Sequence, residues 1–244
     1  MRFVLAALAS SIMALPAHAQ DNGWDYSLTA YLWATDTSIS AETPSGQVVE
    51  GELSFSDALK DLDFAFMGTF EARKDKWSFF TDAMYFKLSP GNGTPGPLVD
   101  EVTIRTQMTV LSGYAAYRVY EDPSVSVDLA GGLRWAKLDS DVSLSGGVLD
   151  GQDFSNDDDW IDPVVGVRLN TRLSDRWYAT LFADYGGFDG DDDTWQAALT
   201  LGYELNDRWS LRGGYRYMEF NREIDGRDMS LDQSGLLLGA TYRF

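Results

Sequence analysis

Apolar and polar side chains alternate along most of this chain, in segments separated by polar turns. Alternation with a period of two is typical of strands with one buried face, and no long stretch has a helical period. The pattern predicts ten strands, at residues 24–35, 62–73, 77–88, 101–118, 124–137, 160–173, 177–187, 194–205, 209–221 and 232–244. Eight strands stay open as an alternative, because strand boundaries are the least secure part of such a prediction.

The connections between these segments alternate between short and long. The short ones are 74–76, 121–123, 174–176 and 206–208, and the long ones are 36–61, 89–100, 138–159, 188–193 and 222–231. Bacterial transmembrane barrels have short periplasmic turns and longer outer loops. The sequence therefore predicts an all-β fold, a single antiparallel up-and-down transmembrane β-barrel.

Aromatic residues recur at a fixed spacing on these segments. Trp and Tyr lie eight residues apart in the pairs Trp77 and Tyr85, Trp177 and Tyr185, Trp209 and Tyr217, and Trp195 and Tyr203. An even spacing places both rings on one face of a strand, and eight tilted residues climb roughly 20 Å, close to the apolar height of an outer-membrane barrel. Since aromatic rings settle at both membrane interfaces, we predict that these residues form two aromatic girdles, together with Trp24 and Phe244.

The start of the chain has the features of an export signal. Arg2 supplies a positive charge, residues 3–15 form a short apolar run, and Ala17 and Ala19 flank a cleavage position before Gln20. We expect residues 1–19 to be a signal peptide and residues 20–244 to form one outer-membrane β-barrel domain. The predicted location is the cell outer membrane of a Gram-negative bacterium.

Charge and composition exclude several functions. The net charge of −19 disfavours nucleic-acid binding, which needs basic patches. The chain has no Cys, and its one His is His18, inside the predicted signal peptide. Acyl transfer by a Ser-His pair and proteolysis by an Asp-His pair are thus unavailable, so we predict no enzymatic activity, no catalytic residue and no cofactor.

If the Trp-bearing face meets lipid, the opposite face carries both signs of charge. The predicted lumen network consists of Glu71, Asp82, Arg105, Asp128, Arg134, Asp162, Arg168, Arg172, Asp184, Glu204, Arg212 and Arg216, with Asp25 at one end. Charged side chains in a narrow lumen must pair with opposite charges or remain hydrated. One interpretation is a structural barrel with an ion-paired lumen, and the other is a narrow, porin-like solute channel that selects by charge.

The long connections hold acidic runs and one helical segment. Asp157, Asp158, Asp159, Asp191, Asp192 and Asp193 are candidate ligands for a divalent cation, because carboxylate oxygens suit calcium and magnesium. A third interpretation is therefore a surface barrel that serves adhesion or binds cations and lipopolysaccharide. Residues 56–62 predict a short helix with Ser56 as N-cap, which would fold over or into the barrel mouth.

Two further patterns support the barrel. Residues 129–135 and 211–217 share the motif L-x-G-G-x-R-aromatic, consistent with repeated hairpins. In the last segment, apolar residues alternate up to a terminal Phe244. Together with segments at 31–33, 55–59 and 71–73, the chain resembles proteobacterial outer-membrane barrels of the small porin-like or OmpA type. The resemblance implies the fold, the outer membrane with its lipid and lipopolysaccharide as surroundings, and recognition by the barrel-assembly machinery through the C-terminal strand. The sequence also leaves a small solute as a candidate binding partner.

Overall fold

The computed structural model describes residues 23–42, 46–89, 91–92, 101–145, 152–189, 192–224 and 226–244. The predicted signal peptide lies outside these residues. The described elements are β1 (Asp25–Glu42), β2 (Val48–Leu53), α1 (Phe55–Lys60), β3 (Leu62–Lys74), β4 (Trp77–Leu88), β5 (Gly91–Asn92), β6 (Glu101–Glu121), β7 (Val125–Ser145), β8 (Gln152–Arg172), β9 (Trp177–Asp189), β10 (Asp192–Glu204), β11 (Trp209–Ile224) and β12 (Arg227–Arg243).

Ten of these strands close into one antiparallel barrel with up-and-down topology. Each long strand pairs with the next long strand along the chain, and β12 returns to pair with β1. The two small strands lie outside the closed ring, β2 as an extension beside β1 and β5 beside β6. The prediction of a ten-stranded all-β barrel is confirmed, and the eight-stranded alternative is wrong.

Many residues that were predicted to lie in loops belong to strands instead. β6, β7 and β8 each contain 21 residues, whereas β9 and β10 contain 13. At about 3.3 Å per residue, the long strands extend far past the short ones at the outer end of the barrel. The predicted loop at 138–159 was wrong for residues 138–145 and 152–159, because both faces of a strand above the membrane are polar and apolar alternation disappears.

β1 and β3 separate part-way along their length. They pair only from Asp25 with Arg73 to Ala30 with Gly68, and above this level β1 pairs with β2 instead, from Thr37 with Leu53. We call the unpaired edges at 31–36 and 62–67 the β1–β3 seam. In a closed barrel these backbone groups would bond across the strands, so the seam is the least connected part of the wall among the described strands.

The helix α1 lies between β2 and β3 at the outer end of this seam. Its N-cap is Ser54 rather than the predicted Ser56, and the Asp57 N–H donates to the Ser54 hydroxyl at 3.3 Å. The Phe55 N–H donates to Asp36 Oδ1 at 2.8 Å, which ties the helix to β1. No residue of α1 is buried. The helix is therefore outside the lumen, and the suggestion that it enters the barrel was wrong.

The outer face of the barrel is apolar. Large exposed apolar side chains project from it along the long strands, among them Leu32, Leu133, Ile161, Leu199 and Leu236. Surface of this kind is unfavourable in water and favourable against lipid. No helix in the described ranges is long and apolar enough to cross a membrane.

Aromatic side chains occupy both edges of this apolar surface. At the end with the short turns, Trp177 packs on Tyr203 with ring centroids 4.9 Å apart. At the other edge, the Trp195 and Tyr217 rings are 4.6 Å apart. The structure places the predicted girdle residues on the outer face, at the turn end for Trp24, Trp77, Trp177, Tyr203, Trp209 and Phe244 and at the outer edge for Tyr85, Tyr185, Trp195 and Tyr217.

Candidate functional site: the barrel lumen

A buried ion pair crosses the middle of the lumen. Arg134 on β7 donates from Nη2 to Asp184 Oδ1 on β9 at 2.7 Å, and both side chains have no exposed surface. Further donors of Arg134 reach the hydroxyls of Thr194 and Ser112, and Gln196 donates to the Asp184 carboxylate. Arg suits this role because its planar fork binds several acceptors at once and stays charged. The pair is therefore almost fully hydrogen-bonded.

A second pair joins β11 to β4 at a similar depth. Arg216 Nη2 lies 2.8 Å from Asp82 Oδ2, and Tyr31 donates its hydroxyl proton to Asp82 Oδ1 at 2.6 Å. Arg216 Nη1 donates to the oxygen of the same tyrosine at 2.9 Å. The guanidinium also stacks on Trp33, 4.9 Å from the ring centroid. This pair fixes three strands to one another from inside.

A third group lies nearer the short turns. Asp128 accepts from Arg168 Nε at 3.1 Å and from Arg118 Nε at 2.9 Å. Glu71 accepts from Arg73 and contacts Arg168, each at 3.0 Å. Arg118 also contacts Glu121 at 2.8 Å, so three guanidiniums share three carboxylates at this level.

The two central arginines come from the repeated glycine motif. Arg134 and Arg216 each stand two residues after the second glycine of the motif, Gly132 or Gly214. A Cβ on Gly132 would lie 2.0 Å from the Gly113 carbonyl oxygen, and one on Gly214 would lie 2.0 Å from that of Leu199. Only glycine allows such close approach of neighbouring strands. The repeat therefore places a guanidinium inside the barrel at two positions around the wall.

The outer half of the lumen is filled with apolar side chains. Among the described residues, the cluster includes Trp33, Met84, Met108, Val110, Ala136, Met218, Phe220, Leu231 and Leu237, and Met67, Phe86, Leu138 and Trp160 pack against it. Met108, Met218 and Phe220 expose 1% of their surface or less. Packed side chains of this kind exclude water. We call this cluster the apolar layer.

One more ion pair lies on the outer side of the apolar layer. Arg222 pairs with Asp162, contacts Asp192 Oδ2 at 3.0 Å and stacks on Trp160 at 5.3 Å from the ring centroid. Sequence reasoning missed Arg222 because it fell in a predicted loop. Its even spacing from Arg216 could have revealed it.

Below the apolar layer, the lumen contains two adjoining cavities. The larger, of about 520 Å³, opens at the short-turn end between the β6–β7 turn and the C-terminal strand. The smaller, of about 150 Å³, reaches up to Tyr31, Asp82 and Arg216. Both are lined by polar and charged side chains, so solvent enters this half of the barrel from one end.

The structure brings most of the predicted lumen residues together. Asp82, Asp128, Arg134, Asp162, Arg168, Asp184 and Arg216 make the buried pairs described above, and Glu71 joins them. Glu204 lies at the mouth, 3.1 Å from Arg243 and 3.7 Å from the exposed Arg172. Arg212 lines both cavities and donates from Nε to the Tyr178 hydroxyl at 3.1 Å.

The placement of Arg105 in the lumen was wrong. Arg105 is exposed and shares a face of β6 with Leu111 and Tyr117, whereas Met108 and Val110 face inward. The prediction continued the parity of the Trp-bearing face onto β6, a strand that contains no Trp. Here the inner face is apolar in the outer half of the barrel, and the outer face becomes polar once β6 leaves the membrane.

The chain matches one protein family over residues 4–244, described as the outer membrane protein beta-barrel domain. It belongs to this family. Its fold is similar to that of the outer membrane protease OmpT from Escherichia coli, with a TM-score of 0.61 and 11% identity over 92% of this chain and 98% of that chain. No curated protein matches the chain.

Other solved barrels are less similar. The translocator domain of autotransporter NalP from Neisseria meningitidis has a TM-score of 0.49 at 16% identity, covering 92% of this chain and 90% of that one. The attachment invasion locus protein Ail of Yersinia pestis has a TM-score of 0.41 at 11% identity, with 91% and 99% covered. Likeness at this identity concerns the fold alone. The family match and the buried ion pairs together show an integral outer-membrane β-barrel with an ion-paired lumen.

The candidate cation ligands are dispersed. Asp157, Asp158 and Asp159 lie on β8, where alternation sends the middle one to the opposite face. Asp192 pairs with Arg222, Asp193 accepts from Asn221 at 2.8 Å, and Asp191 lies outside the described residues. Within the described ranges, no group of three acidic side chains is arranged to hold a metal ion.

Several lumen residues were not predicted. Tyr31, Tyr114 and Gln196 supply hydrogen bonds to the buried carboxylates. Their alternation with outward apolar residues was visible in the sequence, but neutral side chains gave no signal of a role. The side chains of Arg73 and Arg118 also point inward. Both residues lie at strand ends beside charged turns, so they were not assigned to the lumen.

Proposed function

We propose that this protein is a closed structural barrel of the outer membrane, which neither conducts solutes across the membrane nor catalyses a reaction. The observation that carries the proposal is the apolar layer, which fills the outer half of the lumen above the Arg134–Asp184 and Arg216–Asp82 pairs. A barrel of ten strands is only slightly wider than one that side chains fill completely. Solutes in the inner cavities meet packed apolar side chains rather than a water path.

The charged groups of the lumen support the same reading. Each buried carboxylate in the described part of the lumen has an arginine partner, so none of these is free to serve as a general acid or base. The sequence after the predicted signal peptide contains neither His nor Cys. The likeness to a protease concerns the fold, and its activity does not transfer to this chain.

Single-channel recording in planar bilayers tests closure. We expect the refolded wild-type protein to give no stepwise current. The double variant Met218→Ala and Phe220→Ala should conduct, because it removes two of the most buried side chains of the apolar layer. The matched control is Leu236→Ala together with Leu238→Ala, which removes similar volume from the outer face. Regular stepwise currents from the wild type would favour the narrow solute channel and refute the closed barrel.

The outer face supports lipid and lipopolysaccharide as its surroundings. Its apolar band fits the acyl chains, and the strands of β6, β7 and β8 continue above it to the depth of the lipopolysaccharide sugars. For assembly we propose recognition of β12, where Tyr242 and Phe244 pack edge to face at 5.1 Å on the outer surface. Phe244→Ala should lower the amount of heat-modifiable protein in outer-membrane fractions, while Phe79→Ala at the same interface should not.

A further inference from the structure

The two cavities of the inner lumen adjoin each other. They share the lining residues Ser27, Glu71, Arg168, Thr180 and Arg212. The larger cavity opens at the periplasmic end, and the smaller one ends below the apolar layer. A solute that enters the larger cavity from the periplasm therefore meets the side chains that line both cavities, Arg212 among them.

One guanidinium in this space has no counter-charge. Among the described residues, Arg212 is the arginine of the smaller cavity for which no carboxylate lies within 4.0 Å. Its Nε donates to the Tyr178 hydroxyl, and the guanidinium lies over the Tyr178 ring at 5.4 Å. A guanidinium has five N–H donors, and an uncompensated charge in a narrow protein cavity is costly. Arg212 is thus available for an anion.

The nearby carboxylates are already engaged and do not neutralise Arg212. Asp82 accepts from Arg216 and Tyr31. Glu71 is shared between Arg73 and Arg168, and Glu204 is shared between Arg172 and Arg243. If Asp82 or Glu204 turned toward Arg212, an arginine would lose its carboxylate partner, and Glu71 would have to break its contacts with Arg73 and Arg168. A second sign of unmet hydrogen bonding is Arg216 Nε, which is buried without a partner among the described groups.

The remaining walls suit a small molecule with one acidic group. Hydroxyls of Ser27, Thr29, Thr180 and Thr200 line the smaller cavity, opposite the apolar surfaces of Phe182 and Leu237. Hydroxyl donors and a guanidinium are the usual partners of carboxylate and phosphate groups. We propose that this space binds a small organic anion from the periplasm, with its carboxylate or phosphate group on Arg212. This site goes beyond the closed barrel proposed above, and anion binding does not depend on closure.

Calorimetric titration of the refolded protein in neutral detergent tests the proposal, with citrate, inorganic phosphate and glucose as probes. We expect citrate or phosphate to bind, glucose not to bind, and Arg212→Gln to weaken anion binding about tenfold or more. The matched control is Arg227→Gln, which removes an exposed arginine at the opposite end of the barrel. A response to citrate alone assigns a carboxylate ligand, and a response to phosphate alone assigns a phosphate ligand. Absence of binding for both anions, or equal affinity in Arg212→Gln, overturns the site.

A labelling experiment reports the same charge without a ligand. The chain has no Cys, so Ser27→Cys places a single thiol on the wall that both cavities share. After the outer membrane is permeabilised, we expect a sulfonate-bearing methanethiosulfonate to react faster than its trimethylammonium counterpart. Arg212→Gln should remove this preference and Arg227→Gln should keep it. Equal rates with both reagents in Ser27→Cys overturn the positive pocket.

The side of access separates this inference from the closed barrel. In vesicles that contain only this protein, with its outer end facing the added reagent, the thiol of Ser27→Cys should be unreactive, whereas that of Ser230→Cys near the outer end should react. If Ser27→Cys reacts from outside with the same anionic preference, the anion site stands and the closed barrel is refuted. Heat-modifiable migration of each variant establishes that it has folded.

Discussion

The two halves of the lumen are filled in opposite ways. In the outer half, Met108, Met218 and Phe220 pack into an apolar layer, whereas the periplasmic half contains shared Arg–carboxylate groups and two cavities. The same strands and the same inward parity supply both. A transmembrane barrel thus needs no uniform lumen: one half can be sealed like a soluble core while the other stays polar and open to one side.

The largest effect is expected where the halves meet. Arg134→Leu should lower the free energy of unfolding by about 3–5 kcal/mol, because it leaves the fully buried Asp184 without its partner. The double variant Arg134→Leu with Asp184→Leu should recover most of this loss, since it removes both charges. Urea unfolding in lipid vesicles, followed by tryptophan fluorescence, measures the change. Arg105→Leu, at an exposed arginine, should stay within about 0.5 kcal/mol; an equal loss there would mean that burial of the pair is not the cause.

A somewhat smaller loss is expected from the apolar half alone. Met108→Ala should cost about 2–5 kcal/mol, because it opens a cavity at a side chain that is 1% exposed. The same unfolding assay applies. The exposed Leu173→Ala at a periplasmic turn should stay within about 0.5 kcal/mol. If Met108→Ala were also neutral, the outer half would be loosely packed, and the contrast between the halves would disappear.

The glycine motif offers a more local test. Gly214→Ala should cost about 1–3 kcal/mol, because its methyl group would meet the Leu199 carbonyl oxygen at 2.0 Å and push two strands apart. Gly213→Ala is the neighbouring control, since its methyl group would meet Leu238 Cδ2 at 3.4 Å. Thermal shift of the heat-modifiable band compares the two. Equal shifts would refute the close approach at Gly214.

The smallest effect concerns the mouth of the polar half. In the β6–β7 turn, the Ser124 and Val125 N–H groups donate to Asp122 Oδ1, and Tyr120 donates to Oδ2. The Ser124 N–H, then Tyr120, lower the pKa of Asp122 from its usual 3.8. A lowered folded-state pKa stabilises the protein above the unfolded value, and this contribution is lost as pH falls through the folded value. Asp122→Asn should therefore slightly reduce the pH dependence of the free energy of unfolding below pH 3.8. An unchanged pH dependence would contradict this.

The sequence predicted the fold well because alternation, turn length and aromatic spacing are local properties. Trp177 and Tyr185, for example, need only a strand and a membrane of fixed thickness. The lumen is harder, because its filling depends on which side chains meet across the barrel. Arg134 and Asp184 are 50 residues apart in the sequence, and the sequence of neither strand indicates that the two side chains form a pair.

The assignment of side chains to the inner and outer faces was wrong on β6. Along β6, Arg105 was assigned to the inner face, whereas the structure places Arg105 on the outer face and Met108 on the inner face. Alternation divides the side chains of a strand between two faces, but it does not show which face points to the lumen and which to the lipid. The girdle residues settle that choice within the membrane, where Leu111 and Tyr117 face outward. Above the membrane there is no such reference.

The β1–β3 seam has a mechanical consequence. β1 is held to β12 by fifteen residue pairs and to β3 by six. Under force applied to the N-terminus, or during spontaneous breathing, the wall should part between β1 and β3 first, and β1 should stay with β12 and β2 as one flap. Amide hydrogen exchange should accordingly be faster at the seam-facing N–H groups of 31–36 and 62–67 than at the N–H groups of 236–241, which lie between β1 and β11. The first and last strands of the chain, which close the circle, are then not its weakest junction.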